Sequence, residues 1–220
     1  MDSVAQLVLV LPVLLISVVA HEYAHARVAL WQGDHTAAML GRVTLNPLVH
    51  IDPVGTFLVP VVLWLLPGGF IFGWARPVPI NSRNFRDYRR GDLLVSAAGV
   101  AANFALAVAC TLLLVVLTHL GRAWSSGTGA IEPLFLMARF GLFFNLLLGV
   151  FNLIPVPPLD GSHLLYHLLP PHLGARYREL GRYSAVLLLA VLVFPGLLTA
   201  ILLPVDLLMG LAEAVIGLLV

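Results

Sequence analysis

Two histidines four positions apart with a glutamate beside the first, His21-Glu22-Tyr23-Ala24-His25, are the residues of this chain best placed to do chemistry. On a helix, His21 and His25 share one face, where two imidazoles can converge on a single divalent ion. Glu22 stands one residue round, placed to take a proton from a water on that ion. Zinc suits such a set, because it accepts nitrogen and oxygen ligands and keeps a position open for water. The motif follows the apolar run Leu7 to Ile16, which reads as membrane-buried. Ionisable groups at that depth are costly unless they face a protein interior with partners, so they are read as functional. A satisfied core histidine accounts for one His, but not for two at ligand spacing around a Glu.

The composition agrees with that setting. Of 220 residues, 60% are hydrophobic and 10% charged, and the mean hydropathy is +0.99. A soluble domain carries about a quarter of its residues as charges, so the chain reads as an all-α polytopic membrane protein. The net charge of +1 gives no ground for a nucleic-acid partner. All 12 basic residues are Arg, and the single Cys110 sits mid-run in an apolar segment, which excludes a disulfide framework and a thiolate metal site. The acidic Asp2 and the placement of the motif argue against a cleavable leader.

The elements that must position these residues follow from the apolar runs. The first span covers about Val4 to Trp31, and Arg27 puts its His25 end on the cytoplasmic side. Met39 to Leu45 is expected to form a short strand or hairpin between Gly and Asn-Pro signals. Gly55 to Trp74, broken by Pro60, Pro67 and Gly68-Gly69, is expected to re-enter rather than cross. Arginines on both sides of it call for the cytoplasm. Leu93 to Leu120 and Leu134 to about Pro155 read as spans, followed by Tyr183 to Leu203 and an apolar tail, Val205 to Val220, interrupted by Asp206 and Glu213, that either returns through the membrane or lies at its surface. That makes about five to six transmembrane segments in a single domain, 1–220, with a catalytic core at about 4–169 and C-terminal membrane segments at 183–220. Gly141, Asn145, Gly149 and Asn152 share one face that cannot meet lipid, and that face is expected to look at the helix bearing His21 and His25.

A catalytic zinc usually takes three protein ligands. Asp160 is the best third candidate. It follows the Pro-broken end of that polar helix and lies on the side marked cytoplasmic by Arg176, Arg178 and Arg182. Glu132 and His119 fall on the opposite side, while Asp52, Asp87 and Asp92 read as solvated loop residues.

The pair His21-Glu22-Tyr23-Ala24-His25 and Asn152-Leu153-Ile154-Pro155-Val156-Pro157-Pro158-Leu159-Asp160-Gly161 resembles the site-2 protease family of intramembrane zinc metalloproteases. Gly41 to Pro47, Gly73 to Pro79 and Ser96 to Asn103 also resemble its short bacterial branch, which lacks PDZ and CBS domains. The resemblance implies peptide-bond hydrolysis in or near transmembrane segments of membrane-protein substrates, in a bacterial plasma membrane. It implies one Zn2+ per chain on His21, His25 and Asp160, with Glu22 as general base. Asn152 matches the asparagine proposed in that family to polarise the scissile carbonyl. The alternative is a non-proteolytic, metal-binding transporter or assembly factor. Transport needs ligands but no base, and Glu22 speaks against it.

Other polar residues receive plainer readings. His163 and His167 form a second i, i+4 pair, read as interface histidines because no Glu base accompanies them. His35 and His50 read as exposed or hydrogen-bonded, and Arg83 to Arg90 as a topology anchor. Asn103 and Asn145 either contact substrate or bond between helices.

Overall fold

The computed structural model describes residues 3–59, 61–62, 75–123, 131–184, 186–187 and 194–220. They are helical and irregular, with no strand among them. The long helices are α1 (Ser3–Gln32), α3 (Tyr88–Ala123), α4 (Ile131–Asn152) and α7 (Pro195–Leu219). Each contains a stretch long and apolar enough to cross a membrane. Shorter helices among the described residues include α2 (Thr36–Met39), α5 (Asp160–Leu168) and α6 (Pro171–Glu179). Most of the segment expected to re-enter, residues 63–74, lies outside the described residues, as do 188–193.

Helix α3 is the centre of the bundle, packing on α1, α4, α5 and α7. Its lower half joins α4 and α7 in a core of Ala107, Leu114, Leu117, Ala138, Leu142, Leu146 and Val205. Small residues set the helix spacing, as expected where lipid removes the hydrophobic drive for association. A Cβ on Gly141 would lie 2.8 Å from Cys110 Sγ, and one on Gly149 3.1 Å from the Phe104 ring. The polar face of α4 therefore meets α3 more than α1, which it reaches at Gly141, beside Val13, and at Asn145, through Ser17.

Two expectations are corrected. Residues 39–45 form no strand. Helix α1 ends at Gly33 (φ 108°) and α2 at Gly41 (φ 67°), each through the paired bonds of a left-handed glycine cap: Gly33 N to Leu30 O with Asp34 N to Ala29 O, then Gly41 N to Ala38 O with Arg42 N to Ala37 O. The glycines turn the chain as helix caps, not as a hairpin. Nor does the tail begin afresh near Val205. Helix α7 runs unbroken from Pro195 to Leu219, with Asp206 exposed on its outer face. A charge that reaches outward does not interrupt a helix.

Buried Asp34 secures the turn after α1. Its Oδ1 accepts from Thr36 N (3.1 Å) and Asn84 Nδ2 (2.8 Å), and its Oδ2 from Asn81 N (2.7 Å). One carboxylate thus ties the α1–α2 corner to the segment that leads into α3.

Candidate metal centre

His21 and His25 are buried on the face of α1 that meets α3. The His25 Nδ1–H donates to the Val95 carbonyl at 2.7 Å, and the His21 Nδ1–H to Asn103 Oδ1 at 2.7 Å. Because both partners are acceptors, both rings carry their proton on Nδ1 and present Nε2 as a lone pair. The two Nε2 atoms face one another at 2.9 Å, with the rings nearly perpendicular at 85°.

Asp160, the first residue of α5, completes the group. Its Oδ2 lies 3.4 Å from His21 Nε2 and 3.3 Å from His25 Nε2, buried and without a hydrogen-bond partner. Two lone pairs and an orphaned carboxylate oxygen pointing at one spot repel each other unless a cation joins them. Tetrahedral coordination at 2.0–2.2 Å separates ligand atoms by about 3.3 Å, close to the two carboxylate distances. The residues fit zinc. Among the described residues, no other trio of His, Cys, Asp or Glu gathers its ligand atoms this closely.

The site needs its glycines. A Cβ on Gly99 of α3 would stand 2.4 Å from His25 Nε2 and 2.7 Å from His21 Nε2, inside the space that the ligand atoms face. A Cβ on Gly161 would meet the Leu153 carbonyl oxygen at 2.2 Å, so only glycine lets α5 begin against the loop that delivers Asp160.

Glu22 is half-buried, and its Oε2 accepts from the Val78 N–H at 2.7 Å. Val78 belongs to a segment without regular secondary structure, residues 75–81, and packs on Ala26 and Ala37. Arg76 N donates to His50 O, and Arg42 donates to Pro77 O. The amides of Arg76, Val78 and Asn81 are thus already bonded within the protein, which leaves few donors there for an added substrate strand. From sequence, the irregular Gly/Pro-rich stretch Gly68 to Asn81 is expected to offer exposed backbone to which an extended substrate strand could add, and its residues 68–74 lie outside the described residues.

The structure places the remaining candidates as follows. Asn152 ends α4, with its Nδ2–H donating back to Leu148 O at 3.0 Å. Asn103 and Asn145 join helices: Asn103 Nδ2 donates to Asn145 Oδ1 (3.0 Å) and Ser17 O (3.3 Å), while Asn145 Nδ2 donates to Ser17 Oγ (2.9 Å) and Gly141 O (2.8 Å). Through Asn103 this buried network ends on His21. His50 is buried and donates from Nε2 to Thr44 O. Asp52 caps the turn at Val54 and Gly55. Asp92 is not a solvated loop residue; it lies within α3, 7% exposed, and its Oδ2 accepts from His163 and His167. Sequence reading missed Val95, Gly99, Val78 and Asp92. The register of Asp92, Val95, Gly99 and Asn103 at steps of three, four and four was the available signal, since it puts all four on one helix stripe.

Comparison with known proteins places the chain in context. The model for "Peptidase family M50" matches residues 9–194. Among curated proteins, the chain is 39% identical over 186 residues to "Putative zinc metalloprotease YwhC" of Bacillus subtilis, covering 83% of this chain and 78% of that protein. It is 31% identical over 179 residues to "Putative zinc metalloprotease Rip2" of Mycolicibacterium smegmatis, covering 79% of this chain and 61% of that protein. It is 30% identical to Rip2 of Mycobacterium tuberculosis over 83% of this chain and 66% of that protein. The chain thus spans a little under two thirds of the length of these Rip2 relatives. No solved structure matches the chain.

Proposed function

The chain belongs to peptidase family M50, and from that premise we propose that it is an intramembrane zinc endopeptidase cutting peptide bonds in or near transmembrane segments of other membrane proteins. The observation that carries this reading is the convergence of His21 Nε2, His25 Nε2 and the orphaned Asp160 Oδ2. One zinc per chain would be held by those three residues. Bound there, zinc supplies a water acidified toward pKa about 7 and a Lewis acid for the scissile carbonyl.

The chain's own residues do the rest. Glu22, one residue from His21, accepts the proton of the attacking water and returns it to the leaving amine. Val78 holds one oxygen of that carboxylate and leaves the other for the water. Asn103 and the Val95 carbonyl fix the imidazole tautomers that keep Nε2 available. We assign the Asn152 amide to the carbonyl oxygen as it gains charge, which requires it to turn away from Leu148 O. A helical substrate has its carbonyls bonded internally, so it must unwind locally before it reaches these groups.

The arginines at 76–90 and 176–182 favour a cytoplasmic position for this end of the bundle, in a bacterial plasma membrane. The test is metal analysis and proteolysis of purified full-length protein alongside Glu22→Gln. The expected result is one zinc per chain in both, with cleavage of a transmembrane substrate only by the wild type. Cleavage by Glu22→Gln would remove Glu22 from the mechanism, and zinc flux into liposomes with no cleavage by either would favour a transporter.

A further inference from the structure

Both imidazoles gathered at the metal centre are braced by α3, and the braces are spaced along a single stripe of that helix. His25 leans on Val95, both imidazoles lie against Gly99, and His21 is held by Asn103. Asp92 is the next position on the same stripe, toward the helix start. It touches no ligand directly. Its Oδ2 instead accepts from His167 Nε2 at 2.7 Å and from His163 Nδ1 at 3.2 Å, both on α5.

On α5, Asp160, His163 and His167 stand at i, i+3 and i+7, one face of a nine-residue helix. That face meets α1 at one end, where Asp160 Oδ2 lies against His21 and His25, and α3 at the other, where His167 donates to Asp92. The His167 side chain is 4% exposed and that of Asp92 10%. Arg89 of α3 adds a bond from Nη2 to the His167 carbonyl at 3.0 Å. The Tyr88 and Tyr166 rings pack edgewise on His167, with centroids at 5.6 and 4.9 Å. His163 is half exposed, at the edge of a cavity of about 400 Å³ that Tyr88, Tyr166 and Arg178 also line. Its imidazole is held above the ordinary histidine range by the bond to Asp92, against the opposing effect of burial.

We propose that Asp92 is a positioning residue for the third metal ligand: by clasping His163 and His167 it fixes α5 on α3, and so fixes where Asp160 presents its carboxylate. The proposal rests on the zinc reading above. The physical basis is that groups orienting a metal ligand change metal affinity without touching the metal. Asp160 itself lacks the hydrogen-bond partner that would orient it locally, since its buried Oδ2 has none. Its aim is inherited from the helix it begins.

The test is zinc affinity of the purified full chain in lipid nanodiscs, by competition with a chelator, in a double-mutant cycle. Asp92→Asn should weaken zinc binding about 10- to 100-fold. In the Asp160→Ala background, where only His21 and His25 remain, Asp92→Asn should cause no further loss. An equal loss in both backgrounds means that Asp92 supports the bundle as a whole and overturns the proposal; so does no loss in either. A fall from two zinc ions per chain to one would make the cluster a metal site and overturn it as well. Should Asp92→Asn not accumulate, His163→Gln alters only the half-exposed ring. A several-fold loss confined to the background with Asp160 intact is expected there, and any other pattern overturns the clasp. Absence of zinc from the wild-type protein retracts the zinc reading instead, which separates the two failures.

Discussion

The Val78 N–H donates to Glu22 Oε2 across 2.7 Å, joining the segment ahead of α3 to the carboxylate beside the first metal-facing imidazole. Val78 lies between Pro77 and Pro79, neither of which has an N–H, so it is the one amide donor among these three residues. Replacing it with proline removes that donor and sets a pyrrolidine ring where the valine side chain packs on Ala26 and Ala37. Val78→Pro should keep its zinc and lose roughly 10- to 100-fold in kcat, the scale of one hydrogen bond to a charged group. Metal analysis beside turnover of a transmembrane substrate checks this; unchanged kcat would mean that Glu22 needs no such tether.

Gly99 stands where a methyl group would meet both imidazoles, 2.4 Å from His25 Nε2. Gly99→Ala adds the smallest side chain in an α-helix, where alanine is otherwise favoured over glycine. The helix content by circular dichroism should therefore hold, while bound zinc falls to near zero. A variant that retained stoichiometric zinc would show that the helices can part without loss of the site.

Asn103 is fully buried and serves His21, Asn145 and Ser17 together. Asn103→Ala leaves the His21 Nδ1–H and an Asn145 oxygen unpaired, at about 1–3 kcal/mol for each buried group. Zinc affinity should drop by about 10- to 100-fold as the tautomer is released. Thermal unfolding and chelator competition on the same preparation read the two effects. Ser17→Ala, which spares His21, should reproduce the first without the second.

Burial pushes the Asp34 carboxyl up, but the bonds from Thr36, Asn81 and Asn84 outweigh it and hold the group below the ordinary carboxylate range. A depressed folded value stabilises above the unfolded pKa of about 3.9, and the stabilisation fades as pH falls through the folded value. The stability gap between wild type and Asp34→Asn should be constant from about pH 5 to 8 and should narrow below about pH 4. Thermal unfolding across that range measures it; a gap that widened in acid would reverse the sign assigned here.

Much of this protein is legible in its residue order. The spacing of His21 and His25 and the Pro-broken approach to Asp160 are local patterns, and so are the apolar runs of α1, α3 and α4. The same habit misleads where a local signal has two meanings. Gly41 beside Asn46-Pro47 suggests a hairpin, yet the glycine caps α2. Asp206 suggests a break, yet it only points outward from α7.

Residue types and their periodicity thus determined which groups have the chemistry of cation ligands and which segments are long and apolar enough to cross a membrane, because both follow from chemistry within a turn or two of helix. The packing of α3 against α1 and α5 decided the rest. It determined that a Val95 carbonyl orients His25, that Gly99 keeps the site open, that Val78 tethers Glu22, and that Asp92 is buried under α5. Backbone donors and acceptors carry no side-chain signature, and a charge beside a loop looks solvated until another helix covers it. Those contacts exist only once distant segments have met.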